Sequence, residues 1–247
     1  MQSKVIIKKY QPFIENIQEM FYHENSTLFR ARNTVKCLKY NTQLYAVKSF
    51  KIPHLFNQIV YRFFRDSKAK RSYKNAVKLQ ELNVNTPDPI GYIEFPSMYL
   101  FKESYYISEF YDFDFEIRAV FADKNFENRE EILKGFVKFS YDLHNKGVYH
   151  VDYSPGNVII KKMEDTYEFT IIDVNRMKFI EYDNEMRFKN LSRFSTSSED
   201  LEFIAKNYAK ISYIDEAFAI KSLWKYHNKH QKYLGNKKRL KAWKKKI

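Results

Sequence analysis

Apolar and polar residues alternate with a period near two through "TLFRAR", "TVKCLKY" and "QLYAVKSF", which are rich in β-branched and aromatic side chains. Asn33 and Asn41-Thr42 stand at the turns, so the pattern predicts an antiparallel meander from Thr27 to Phe50. After Ser67 the period becomes helical, with apolar or aromatic residues at 69, 73, 76, 77, 79 and 82. "NTPDPIGYIEF" breaks that helix with prolines and opens a strand, and "SYYISEF", Ser104 to Phe110, gives another. From Asn128 to His144, residues Ile132, Leu133, Phe136, Val137, Ser140 and Leu143 share one face, with acids in the first turn. Gly147 then takes the usual glycine place after a helix. "GVYHVDYSPGNVII" reads as strand, polar turn, strand; a hairpin through "KKMEDTYE" leads to the strand "FTIID" ending at Asp173. Helices follow near Glu199–Lys210 and Asp215–His230, the first capped within "STSSED", Ser195 to Asp200. Five strands and a helix ahead of a mostly helical half predict an α+β, two-lobed chain.

The 247 residues, 44% hydrophobic and 18% aromatic, suffice for a real core and exclude a disordered chain. No apolar run approaches the ~18 residues of a membrane span. "MQSKVIIKKYQPF" has too short an apolar run for a signal-peptide core, and Cys37 is the single cysteine, so a cytoplasmic location is expected. The net charge is +13, but the stretch from Lys225 to Ile247 holds ten Lys or Arg and no acid; removing those ten leaves +3. "GNKKRLKAWKKKI" suits a short amphipathic helix with Leu240 and Trp243 on one side, of the kind that lies on anionic membranes or nucleic acid; a solvated terminus reads equally well. Nothing resembling a stacking platform or recognition motif supports nucleic acid.

The polar turn holds His150, Asp152 and Asn157, with Pro155 and Gly156 bending the chain. A hairpin of equal arms returns Asp173 beside Asn157, gathering oxygen ligands that suit Mg²⁺. Lys48, inside the apolar strand "YAVKSF", either snorkels to the surface or balances a buried anion.

In order and spacing, "YAVK", "LHNKGVYHVDYSPGN" and "IIDVN" resemble the lysine strand, catalytic loop and metal-binding segment of a protein-kinase-like fold, with an antiparallel β-rich N-lobe and a mainly helical C-lobe. "SKAKRSY", "NTPDPIGYIE", "HVDYSPGNVII" and "IIDVNRM" are closer to the lipopolysaccharide kinase family, which phosphorylates Kdo or heptose of the inner core. The resemblance implies an ATP- and Mg²⁺-dependent phosphotransferase acting on a lipid-linked sugar. Asp152 would be the base, Asn157 and Asp173 the Mg²⁺ ligands, and Lys48 the holder of the α- and β-phosphates. The Glu109 carbonyl and Tyr111 amide would meet adenine, and His150 would support the loop without moving a proton. It also implies an N-lobe over 1–110, a C-lobe over 111–224 and a basic helix or tail over 225–247. That tail would hold the enzyme on the anionic cytoplasmic face of the inner membrane.

Three features depart from the kinase pattern. No glycine occurs before Gly91, so "RARNT" must cover the phosphates, with Asn33 at the turn and Arg30 or Arg32 reaching phosphate. No acid lies between Asp66 and Glu81, so Lys48 lacks its usual glutamate; Asp66 or a group elsewhere must serve. "DVN" lacks the glycine of the metal segment. These departures leave two alternatives open, an atypical protein kinase or ATPase and a degenerate kinase fold serving as a binding module. Ser154, standing where many protein kinases carry lysine, speaks against a protein substrate.

Overall fold

The computed structural model describes residues 2–5, 8–30, 33–52, 54–96, 99–194 and 196–243. The chain divides into two compact units, Met1–Asp112 with Ile171–Arg176, and Phe113–Thr170 with Met177–Ile247.

In the first unit, β1 (Gln2–Val5), β2 (Thr27–Arg30), β3 (Thr34–Tyr40), β4 (Gln43–Ser49), β5 (Pro89–Pro96) and β6 (Phe101–Glu109) form an antiparallel sheet ordered β1-β5-β6-β4-β3-β2. Asn41 takes a left-handed φ of 54° in the turn that sets Tyr40 opposite Gln43. Side chains alternate across the pleat. Tyr45 and Val47 of β4 therefore join Leu38, Ile93 and Ile107 against Phe13, Ile14 and Ile17 of α1 (Gln11–Glu15) and α2 (Ile17–His23). The opposite face carries Lys48 and then Phe50, which packs with Tyr92 on Ala69 and Tyr73. Those two belong to α4 (Lys68–Glu81), which follows α3 (Leu55–Phe63). The Ser67 hydroxyl caps α4 by accepting from the Lys70 N–H, and Asn83 at φ 51° takes the chain out of it.

The meander, α4 and the strands around Ile93 and Ile107 stand where periodicity places them. β1, α1, α2 and α3 come in addition: α1 and α2 are five and seven residues long, too short for a helical period to show.

The second unit contains β7 (Phe115–Glu116), α5 (Ile117–Ala122), α6 (Arg129–Asn145), β8 (Val148–His150), β9 (Val158–Lys162), β10 (Tyr167–Ile171), β11 (Met177–Phe179), α7 (Asn184–Leu191), α8 (Ser198–Ser212) and α9 (Glu216–Trp243). The final residue of β10, Ile171, already counts with the first unit. The buried face of α6 is the predicted stripe extended by His144, and Gly147 follows at φ +70°. Ser197 caps α8 by accepting from the Asp200 N–H. Asp200 is itself buried and ion-paired to Arg129 at 2.5 Å, which ties the first turns of α6 and α8 together. α9 continues past His230 to Trp243, because nothing between them breaks a helix except the single Gly235. The fold is thus α+β, with the antiparallel sheet in the N-terminal part and helices dominating the C-terminal part.

Candidate active site

Lys48 leaves β4 on the α4 side of the sheet and meets a carboxylate there. Its Nζ lies 2.6 Å from Oδ1 of Asp173, 125 residues on, with the two side chains 17% and 36% exposed. Between the two readings open for this lysine, the structure selects the one in which it balances an anion. Asp173 does not end the strand: β10 stops at Ile171, and Asp173 sits beyond it at φ 57°. A left-handed residue cannot continue a ladder, which corrects the sequence-based boundary. The conformation costs roughly 1–2 kcal/mol for a non-glycine residue, so neighbouring contacts must hold it. The Ile171 N–H donates to Asn85 O at 3.0 Å, Asn75 Nδ2 of α4 to Val174 O at 2.7 Å, and Asn175 Nδ2 to Asp173 Oδ1 at 2.5 Å. Asn75 and Asn175 escaped the sequence reading, which sought an acid on α4 and a glycine after the metal Asp.

Asp66 serves elsewhere. Its oxygens accept from Lys70 at 2.8 Å and Lys74 at 2.6 Å, one and two turns along α4, and these hydrogen bonds, opposed by partial burial, hold its carboxyl below the usual range. The charge partner of Lys48 is Asp173. Asn33 Oδ1 lies 3.4 Å from the Lys51 N–H, at the outer end of β4. Arg32 and the Arg30 side chain lie outside the described residues. Glu109 ends β6, its N–H donating to Asp88 O; the Phe110 N–H donates to Leu44 O, and Tyr111 follows.

In the second unit His150 ends β8, and Asp152 and Asn157 lie in the loop that runs from it to β9. Three internal hydrogen bonds shape it. His150 Nδ1 accepts the Asp152 N–H at 3.1 Å, so that nitrogen carries no proton. Asn157 Nδ2 donates to Asp152 O at 2.8 Å, and its Oδ1 is the acceptor end of the carboxamide. The Asn157 N–H donates to Ser154 O at 2.9 Å. Tyr153 is buried under the loop among Phe136 and Phe194, its hydroxyl 2.8 Å from Ser140 Oγ, and burial raises its phenol above the ordinary value. A Cβ at Gly156 would meet the guanidinium of Arg118, the exposed end of a flexible side chain that can move aside.

Beneath the loop lies a wired polar core. Arg187 Nη1 donates to the Tyr208 hydroxyl (3.0 Å), Tyr208 to His144 Nδ1 (2.7 Å), and His144 Nε2–H to Asn190 Oδ1 (3.2 Å). Asn190 Nδ2 completes the chain by donating to His150 O at 2.9 Å. Burial pushes the His144 imidazole down to about 3, helped by Arg187 and opposed by Asn190. A neutral ring that accepts at one nitrogen and donates at the other is what this wiring demands. No periodicity marks Asn190 or Tyr208 for this role; only His144 stood out, as a residue closing a helix.

The family model of the lipopolysaccharide kinase (Kdo/WaaP) family matches residues 15–214, a span that includes Lys48, the Asp152 loop and Asp173. The chain belongs to the lipopolysaccharide kinase (Kdo/WaaP) family. Membership makes it a member of a phosphotransferase family. A solved structure of WaaP in complex with acyl carrier protein has the same fold, with a TM-score of 0.64 at 14% identity over 93% of this chain and 99% of that one. No curated protein matches the sequence. Among the described residues, no helix is long and apolar enough to cross a membrane, and no cluster of three or more His, Cys, Asp or Glu forms a ready metal site.

Proposed function

We propose that the protein is an ATP-dependent kinase of the lipopolysaccharide inner core, transferring the γ-phosphate to a hydroxyl of Kdo or heptose. The observation that carries this reading is the Lys48–Asp173 pair, held at 2.6 Å inside a chain of this family. Asp152 accepts the proton of the attacking hydroxyl. The acceptor oxygen forms its bond to the γ-phosphorus as the bond to the β-bridging oxygen breaks, and ADP leaves. Lys48 turns to the α- and β-phosphates, the Glu109 carbonyl and Tyr111 amide meet the adenine edge, and Asn33 stands in the turn over the phosphates. His150 fixes the backbone of Asp152 through Nδ1 and moves no proton.

The donor chemistry fits Mg²⁺: a carboxylate at Asp173 and the carboxamide oxygen of Asn157, whose nitrogen is spent on Asp152 O. Both are hard oxygens of the kind this ion takes alongside phosphate and water. When bound, Mg²⁺ neutralises phosphate charge. The rest of the work is positioning, which this chain's own residues perform.

Incubation with ATP, Mg²⁺ and Kdo-lipid A should give a phosphorylated lipid, and Asp152→Asn should reduce it on the order of a thousandfold or more. Failure of the wild type on every lipid-linked sugar would remove the acceptor assignment. The only acid of α4, Glu81 in its last turn, pairs with Lys78, and Lys48 pairs with Asp173 instead of a helix glutamate, which keeps a degenerate binding module as the second reading. Calorimetry separates the two, because a degenerate module shows little Mg²⁺-dependent ATP binding; autophosphorylation and a peptide screen address a protein-directed kinase.

The basic C-terminus belongs to the same proposal: the enzyme works peripherally at the cytoplasmic face of the membrane that carries its acceptor. A basic residue near an anionic surface contributes about 1 kcal/mol.

A further inference from the structure

α3 is amphipathic with its apolar stripe turned outward. Tyr61 packs its ring against Phe101 of β6 at a centroid distance of 6.0 Å. On the opposite side Leu55, Ile59 and Phe63, spaced by four, are 66%, 45% and 56% exposed, and Phe64 just beyond is 82% exposed. Ile52, ahead of the helix, is exposed at 43%. Scattered surface apolar residues are ordinary, but a run of five within thirteen positions is a patch that asks for an occupant.

Charge identifies which. From Gln43 through Arg65 the sequence has no Asp or Glu, and Lys51 and Arg65 are exposed at the two ends of the stripe. The first acid beyond, Asp66, is already taken by Lys70 and Lys74. A second copy of this chain, at net charge +13, would bring like charges together. An apolar face with Lys51 and Arg65 at its ends and no acid in its own stretch of chain suits the boundary between headgroups and acyl chains of an anionic bilayer. We infer that α3 inserts its Leu55–Ile59–Phe63 stripe, together with Phe64 at its end, into an anionic lipid surface. This docking element is separate from the basic C-terminus, and it rests on the reading of a lipid-linked acceptor.

The test uses the full chain and vesicles of phosphatidylethanolamine with phosphatidylglycerol. Leu55→Ser, Ile59→Ser and Phe64→Ser combined should weaken sedimentation with vesicles by roughly tenfold or more, with circular dichroism and ATP binding unchanged. An environment-sensitive dye on Ile59→Cys, in a Cys37→Ser background, should shift to the blue on these vesicles and keep the shift in high salt. Undiminished binding by the triple variant, or emission that does not move while the protein is vesicle-bound, overturns the proposal. A triple variant that keeps its vesicle affinity but loses binding to an acidic acyl carrier protein overturns it too, in favour of a protein partner. Transfer to a water-soluble Kdo acceptor reads the kinase assignment separately. If that fails while the dye still reports insertion, the kinase reading falls and the docking element stands.

Discussion

Asp173 carries two demands in one residue: a carboxylate beside Lys48 and a backbone in the left-handed region. The proposed function accounts for the first, and neighbouring hydrogen bonds sustain the second. Glycine adopts this conformation freely and a β-branched residue resists it. Asp173→Gly and Asp173→Val both remove the carboxylate, so both should abolish phosphotransfer. Their stabilities should differ, with Val lower by about 1–2 kcal/mol in chemical denaturation. Equal stabilities would show that the turn stores no strain. Lys48 has the opposite character. The strand alternation that buries Val47 toward α1 and α2 sends Lys48 toward α4 without cost to the backbone. That is why its face was legible in the sequence and the twist at Asp173 was not.

At the scale of elements, α6, α7 and α8 build the floor of the Asp152 loop through the buried chain Arg187, Tyr208, His144, Asn190 and His150 O. His144 ties its stability to pH. Its folded value of about 3 lies below the ordinary 6.5, so the fold favours the neutral ring. Stability from this group is therefore complete above about pH 6.5 and is lost as pH falls toward 3, at up to ~1.4 kcal/mol per pH unit. His144→Gln cannot titrate. Between about pH 6.5 and 5 its urea-unfolding free energy should fall less steeply than that of the wild type, although it starts lower because contacts are lost. Parallel slopes would mean that the buried ring protonates without penalty. Asp200, whose carboxyl is held low by Thr196, Arg129 and Ser197 against the effect of burial, loses its own contribution only at more acid pH. The stripe of α6 and the cap of α8 were readable because a period or a cap motif marks them. Asn190 and Asn75 act across elements far apart in the chain, and no local pattern records such a hydrogen bond. α3 shows a different limit. Leu55, Ile59 and Phe63 have the spacing of a core-facing stripe, and spacing alone does not say which side of the helix the sheet will take.

For the whole molecule the governing quantity is where the charge sits. Of the net +13, ten basic residues lie in 225–247, and α9 carries most of them out to Trp243, its last turns exposed. Lys225 is neutralised locally by Glu185 at 3.0 Å, but no acid follows it in the sequence. Deleting residues 236–247 removes seven Lys or Arg and takes the net charge from +13 to +6. At about 1 kcal/mol for each residue that reaches an anionic surface, contact by even two of them makes the loss more than tenfold. The deletion should therefore lower affinity for phosphatidylglycerol vesicles more than tenfold at low salt and leave Mg²⁺-dependent ATP binding unchanged. Raising the salt should shrink the difference between full-length and truncated protein, since screening acts on the tail's charges and hardly on the apolar stripe of α3. What survives in high salt should then be sensitive to Leu55, Ile59 and Phe64 and indifferent to the tail. Equal vesicle binding by the truncated chain at low salt would remove the tail from the anchor. An effect of the deletion on ATP binding would instead make the end of α9 part of the folded unit.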